Sequence, residues 1–185
     1  MTAGTPRMAD SLTAGRLRLD VVSTDDLQEV HAIFSDPQTH TVGDGPVSGI
    51  DETREWIERR ALRRRELGVT WYAVRTPEGR LVGTAGLFVG RARPHPELGF
   101  EVRHGDQGRG YGRAAATAVV QEGHRAGFGE VWATVRAWNA ASLRALAVVG
   151  FVTQWEESDE RGALVFLRHV VGGSPTGAPG LSPAG

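Results

Sequence analysis

Hydrophobic and polar residues alternate along several stretches of this chain with the two-residue period of a β-strand. The alternation is seen over 16–22 (RLRLDVV), and again over 69–75 (VTWYAVR) and 81–89 (LVGTAGLFV), which flank the turn sequence TPEGR. Two such runs around a glycine-containing turn predict a β-hairpin. The run over 97–103 (ELGFEVR) predicts a strand with two different faces: Leu98, Phe100 and Val102 on one, and Glu97, Gly99 and Glu101 on the other.

Other stretches have helical signals. Residues 23–37 begin with Ser and Thr as candidate N-caps, have acids in the first turn and end at a proline, and so predict a short helix. A longer helix is predicted over 50–68, and two more over about 110–126 and 139–150. The buried side of the helix over 50–68 is predicted to carry Ile50, Trp56, Ile57, Ala61 and Leu62.

Further strands are predicted over 130–137, 151–155 and 163–169. The element order is then β-α-α-β-β-β-α-β-α-β-β, which predicts an α/β (α+β mixed) fold with helices on the faces of a mixed sheet. The polar start of the chain, 1–14, is expected to be a flexible N-terminus. The end, 171–185, is rich in Gly, Pro and Ser and is expected to be a disordered tail. One domain over 15–170 remains.

Composition narrows the function classes. A chain of 185 residues that is 40% hydrophobic fits one soluble domain. A net charge of −1 provides no bulk attraction to nucleic acid or membrane, so neither is expected as a partner. The absence of cysteine excludes thiolate chemistry and fits a reducing compartment. With neither a membrane-spanning apolar run nor a signal peptide, a cytoplasmic location is expected. The six histidines lack metal-ligand spacing, so no metal is expected.

Residues 106–115, DQGRGYGRAA, carry glycines at the predicted start of a helix. Glycine costs about 1 kcal/mol relative to alanine inside a helix, so these glycines need a reason. One reason is a tight strand-to-helix turn. The other is an anion site, because a helix N-terminus has unpaired N–H groups and glycines let a phosphate approach them. Arg109 and Arg113 would add charge-assisted contacts.

Three phosphate-binding patterns can be compared with this stretch. The Gly-Lys-Ser/Thr ending of a Walker loop is absent. Residues 110–115 fit the dinucleotide pattern Gly-x-Gly-x-x-Ala, but the next strand ends without the acid that would bind a ribose. The third pattern is Gln/Arg-x-x-Gly-x-Gly/Ala, met by Gln107, Gly110 and Gly112.

With this third pattern the chain resembles the GNAT superfamily of acetyl-CoA-dependent N-acetyltransferases. The narrower resemblance is to the ribosomal-protein-alanine acetyltransferase subgroup. Four features in order carry it: ELGFEV on the preceding strand, QGRGYG, WNAAS at 138–142, and GF at 150–151. The resemblance covers about 15–170. It implies a single domain whose central sheet is mixed but largely antiparallel, with a splayed parallel strand pair.

The resemblance implies acetyl-CoA as co-substrate, held between those two strands. Its pyrophosphate would lie on the loop and helix start made by Gln107, Gly108, Arg109, Gly110, Tyr111, Gly112 and Arg113. Its pantetheine arm would bond backbone groups near Glu101 and Val102. Asn139 and Ser142 would contact the co-substrate from the following helix, although a plain N-cap role for Asn139 stays open.

The implied reaction is direct attack of an amine on the thioester. An amine with a pKa of about 8 to 10.4 is mostly protonated near neutrality, so a base is useful. Glu97 matches the family's glutamate on this strand, and Glu101 is the second candidate; either one could instead be a solvated strand acid. The position of the usual acidic tyrosine is Leu146, so Ser142, which the subgroup uses, is the candidate proton donor. Its alternative role is a backbone-bonded serine of the first helical turn.

Two other functions stay open from the sequence. One is a non-catalytic module that senses acyl-CoA, and the other is an NAD(P)-dependent oxidoreductase. The amine acceptor, a protein N-terminus or a small molecule, depends on segments where families diverge. The oligomeric state is equally open, although homodimers are common among relatives.

Overall fold

The computed structural model of the protein describes residues 7–39 and 46–172. It contains one eight-stranded sheet with the strand order β1-β2-β3-β4-β5-β6-β8-β7. The strands are β1 (Ser11–Ala14), β2 (Leu17–Val21), β3 (Trp71–Arg75), β4 (Leu81–Val89), β5 (Pro96–Val102), β6 (Glu130–Arg136), β7 (Val152–Asp159) and β8 (Gly162–Val170). The helices are α1 (Leu27–Phe34), α2 (Ile50–Leu67), α3 (Tyr111–Arg125) and α4 (Ala140–Val149).

Neighbouring strands pair antiparallel throughout the sheet except for β5 and β6, which are parallel. The predicted mixed, largely antiparallel α/β fold is therefore confirmed. Parallel neighbours need a crossover connection, and α3 supplies it. Helix α3 packs against β4 and β5, and the apolar face of β5 predicted from its alternation contributes Leu98 to that core. A second core lies under α1 and α2, with Ile33, Ile57 and Trp71 at its centre.

The N-terminal segment differs from its prediction. Residues 11–14 form an edge strand paired with β2, and Met8 is buried in the core. The Ala9 N–H donates to the carboxylate of Glu122 in α3 at 2.5 Å. A flexible N-terminus is therefore wrong for residues 8–14. Its local sequence is too short to show a strand pattern, and its order comes from contacts with residues far along the chain. The tail predicted over 171–185 lies outside the described residues from 173 onward.

Helix α2 buries a narrower stripe than predicted. Ile57 is buried as expected, but Leu62 is 42% exposed. Thr53 is buried instead, and its hydroxyl lies 2.9 Å from Nδ1 of His31 in α1. Arg60 follows Ile57 by one turn and also faces the sheet, where its guanidinium lies over three aromatic rings. The inward side of α2 is thus partly polar, which a purely hydrophobic pattern does not reveal.

Candidate active site

A wedge opens between β5 and β6. The two strands pair in register only at Glu97 and Trp132. By contrast, β5 pairs with β4 along seven positions, from Pro96 to Val102. The ends of β5 and β6 beyond Glu97 are therefore separated, and their backbone groups on that side are left without a ladder partner. An extended ligand can fill such a gap in the manner of an added strand.

The start of α3 stands at the open end of this wedge. Its N-cap is Gly110, in the left-handed region at φ 80°, and no side chain caps the first turn. Gly108 has a φ of 76° as well, so both positions favour glycine. A Cβ at Gly112 would lie 3.1 Å from the Phe100 ring, which explains why α3 can start so close to β5. The uncapped N–H groups and the helix dipole make this end suitable for an anion.

The loop between β5 and α3 is braced by contacts that the sequence did not indicate. Asp106 is buried and accepts two hydrogen bonds from the Arg80 guanidinium, at 2.7 and 2.8 Å. These bonds hold the pKa of Asp106 below its usual value. The His104 N–H donates to the hydroxyl of Thr39, at 2.8 Å, which ties the loop to the segment after α1. These contacts hold the loop and the start of α3 in place without a ligand.

One cavity of about 820 Å³ joins the wedge to the helix start. Every cofactor-binding residue predicted from the sequence lines it: Glu101, Val102, Gln107, Gly108, Arg109, Gly110, Tyr111, Gly112, Arg113, Asn139 and Ser142. Gln38, Thr39 and Arg144 also line it, and sequence reasoning missed them. The spacing of Ala141, Arg144, Ala145 and Val148 along α4 is the helical signal that could have found Arg144.

Asn139 and Ser142 meet at the start of α4. The Oδ1 atom of Asn139 accepts a hydrogen bond from the Ser142 N–H at 3.1 Å, so Asn139 is a helix N-cap. Both residues line the cavity as well, so the cap and a ligand contact are compatible. Gln107 behaves differently from its neighbours, because its side-chain amide donates to the Val102 carbonyl at 3.1 Å. That bond fixes the end of β5 to the loop.

The two glutamates of β5 lie in different surroundings. Glu97 is fully buried at the closed end of the wedge and does not line the cavity. Its carboxylate accepts from the Ala92 N–H at 2.7 Å and from the Thr134 hydroxyl at 3.0 Å. The alternative of a solvated strand acid is therefore wrong for Glu97. Glu101 is half-buried and lines the cavity. Only Glu101 thus shares a surface with Ser142.

A parallel strand pair that opens towards an uncapped, arginine-rich helix start has a geometry that suits an extended, phosphorylated ligand. Residues 16–152 match the family profile described as "Acetyltransferase (GNAT) domain". The chain belongs to this GNAT acetyltransferase family, and it is an acyltransferase by class. The family assignment also removes the NAD(P)-dependent oxidoreductase alternative. No curated protein sequence matches the chain significantly.

Solved structures share the fold at low identity. A putative GnaT-family acetyltransferase from Bordetella pertussis has a TM-score of 0.76 at 21% identity, covering 88% of this chain and 100% of its own. RimL, a ribosomal L7/L12 α-N-protein acetyltransferase in complex with coenzyme A, has a TM-score of 0.76 at 14% identity, covering 87% and 98%. YncA from Salmonella typhimurium, with its cofactor acetyl-CoA, has a TM-score of 0.68 at 22% identity, covering 92% and 99%. At these identities the likeness shows that this chain shares the fold of these proteins.

No helix within residues 7–39 and 46–172 is both long and apolar enough to cross a bilayer. No group of three or more His, Cys, Asp or Glu side chains in the same residues could hold a metal ion.

Proposed function

We propose that the protein transfers the acetyl group of acetyl-CoA to a primary amine, by direct attack within a ternary complex. The observation that carries this proposal is the uncapped start of α3 at the open end of the β5–β6 wedge. Arg109, Arg113 and Arg144 line the same cavity and supply positive charge for phosphates. The CoA and acetyl-CoA complexes of the structural neighbours RimL and YncA support the choice of ligand.

In this proposal the pyrophosphate lies on the N–H groups from Gly108 to Arg113. The pantetheine arm runs along β5 and bonds the backbone near Glu101 and Val102, as an added strand would. The thioester then reaches towards the closed end of the wedge, where Glu97 and Thr134 meet. The cavity volume of about 820 Å³ suits a ligand of this size.

The chemical step forms a C–N bond and breaks the C–S bond. The attacking amine must lose one proton, which a carboxylate accepts directly or through water. Glu97 and Glu101 are the two candidates, and Glu97 stays first because of its place at the closed end of the wedge. The departing sulfur takes up a proton, and the Ser142 hydroxyl on the cavity wall is the proposed donor. Binding both reactants in one site also lowers the barrier to reaction, because it orients the amine towards the thioester.

The experiment is release of CoA thiol from acetyl-CoA in the presence of amine mixtures: N-terminal peptides, polyamines, aminoglycosides and amino acids. We expect amine-dependent thiol release and an acetylated product with a mass increase of one acetyl group. Isothermal titration with CoA, run in parallel, separates two failures. CoA binding without turnover on any amine would favour the acyl-CoA sensor. The absence of CoA binding would overturn the site assignment itself.

A further inference from the structure

The sheet face that carries Glu97, Gly99 and Glu101 holds buried polar atoms without a partner. Within the described residues, Nε of Arg60, Nε1 of Trp71 and Oγ1 of Thr84 have no hydrogen-bond partner. Trp71 and Thr84 belong to this face through the strand register, because Trp71 lies opposite Gly86, which lies opposite Gly99, and Thr84 lies opposite Glu101. Buried polar groups are nearly always bonded, so three together call for an explanation.

Arg60 reaches this face from α2. Its guanidinium carbon lies 5.0 Å from the ring centre of Trp56, 4.6 Å from that of Trp71 and 5.3 Å from that of Phe88. Burial, together with the neighbouring charge of Arg59, lowers the pKa of Arg60 to about 10, so the side chain is still charged at neutral pH. No carboxylate of the described residues forms an ion pair with it. The rings offset only part of the cost of burying a cation without an anion.

The same rings connect Arg60 to the reacting end of the wedge. A Cβ added at Gly99 would lie 2.5 Å from Trp71 and 3.4 Å from Phe88, so both rings cover β5 there. A Cβ added at Gly90 would lie 2.5 Å from the Glu97 carboxylate and 2.6 Å from the Phe88 ring. The Phe88 ring therefore lies close to both the Arg60 cation and the Glu97 carboxylate. An acceptor that spans this ring would meet a positive group at one end and a negative group at the other.

We propose that Arg60 determines acceptor specificity by binding a carboxylate carried by the amine, so that the substrate class is amino acids or closely related amino carboxylates. This proposal rests on the acetyl transfer proposed above. Nε of Arg60 and Nε1 of Trp71 are both donors, and the Thr84 hydroxyl can donate, so the missing partner is an acceptor group. A carboxylate satisfies a guanidinium through paired, charge-assisted hydrogen bonds, which an uncharged carbonyl does less well. The amine end is then directed towards Glu97.

The test compares L-leucine with isoamylamine, the same amine without its carboxylate, in wild type, Arg60→Met and Arg59→Met. Methionine keeps the apolar stem of Arg60 but not its guanidinium or its charge. Arg59 is an exposed neighbour on the same helix and serves as the matched control. In wild type we expect kcat/KM for L-leucine to exceed that for isoamylamine. In Arg60→Met we expect KM for L-leucine to rise about tenfold or more, while kcat and the isoamylamine values change little. A preference for L-leucine that survives in Arg60→Met would overturn the proposal.

A second measurement does not need turnover. Trp56 and Trp71 flank Arg60, so binding of N-acetyl-leucine should change tryptophan fluorescence in a saturable way. N-acetyl-isoamylamine should produce little change, and Arg60→Met should lose the response while Arg59→Met keeps it. If wild type binds CoA but shows no response to the carboxylate, the Arg60 proposal fails and the acetyltransferase proposal stands. If the response is present but no amine is acetylated, the proposed function fails and the carboxylate site stands.

Discussion

At the residue scale, the two glutamates of β5 differ in position and in accessibility, and a general base needs both to be right. Glu97 occupies the position favoured by the family resemblance, but it is buried and bonded to two donors. Glu101 lines the cavity, where an amine can approach it directly. A buried carboxylate can serve as a base only through an ordered proton path. Whether Glu97 is the base therefore depends on a path from the amine to its carboxylate, which mutation can test.

We predict that Glu97→Gln lowers kcat for acetyl transfer by about a hundredfold or more, while the dissociation constant for CoA stays close to wild type. The loss should be accompanied by a change in the acidic limb of the pH–rate profile. Glu101→Gln should lower kcat less, because this residue is the second candidate. Steady-state kinetics over a range of pH and CoA titration provide the measurement.

The control for this prediction is Thr134→Val, which removes the hydroxyl that donates to Glu97 but leaves the carboxylate. Glutamine at 97 keeps one acceptor oxygen for the Ala92 N–H, and its amide can donate to the Thr134 hydroxyl, so we expect a loss of only about 1 kcal/mol in unfolding free energy. Urea denaturation of both variants shows how much of any loss is stability. If Glu101→Gln loses the pH limb and Glu97→Gln keeps it, the assignment is reversed.

At the element scale, the sequence predicted most strands and helices because their hydrophobic periods are clear. The turn TPEGR between β3 and β4 and the glycine after α2 marked element ends correctly. The edge strand β1 was missed because it has only four residues, and its order depends on β2 and on Met8 in the core. Local pattern therefore predicts elements that bury their own apolar face, and it misses those stabilised from elsewhere.

The candidate site shows the same division. The glycine loop and Asn139 could be found because they are contiguous signals with a backbone reason. The Arg80–Asp106 pair could not be found from the sequence, because its two residues are 26 positions apart and an arginine can pair with any of many carboxylates. Arg60 was equally hidden in the run RRALRRRE, where its inward direction depends on how α2 packs. Such residues are identified by tertiary contacts and not by residue type.

The three arginines that line the cavity permit a prediction about the role of charge in CoA binding. Arg109→Ala, Arg113→Ala and Arg144→Ala should each weaken CoA binding by roughly fivefold to tenfold at low salt, and each should reduce the salt dependence of the dissociation constant. The backbone N–H groups should keep part of the affinity. Isothermal titration at two salt concentrations checks this, with Arg63→Ala as the control because Arg63 pairs with Glu66 on α2. Equal weakening by the control would show a nonspecific effect of net charge.

At the scale of the whole molecule, a pair of histidines links helix α3 to strand β8. Nε2 of His124, near the end of α3, lies 2.9 Å from Nδ1 of His169 in β8. Nδ1 of His124 lies 2.7 Å from the Phe128 carbonyl, so this nitrogen carries a hydrogen and donates to that carbonyl. The pair therefore connects α3 and its following turn to a strand on the far side of β6.

Burial and the charge of His124 lower the pKa of His169 below its ordinary value of 6.5. The folded protein thus favours neutral His169, whereas the unfolded chain binds a proton at the ordinary pKa. Above pH 6.5 both states hold this group neutral and the contact contributes its full stability. As the pH falls from 6.5 towards the lower folded pKa, the unfolded state takes up a proton first. The unfolding free energy must therefore fall across that range.

We predict that His169→Gln is less stable than wild type at pH 7.5 and that the difference narrows as the pH falls to 5.5, because the variant has no histidine to protonate on unfolding. Urea denaturation at several pH values measures the two slopes. His104→Gln is the control, since His104 is exposed in the β5–α3 loop and should leave the wild-type slope unchanged. A constant difference between wild type and His169→Gln over this range would mean that the pair contributes packing alone, and that the acid sensitivity arises at other groups.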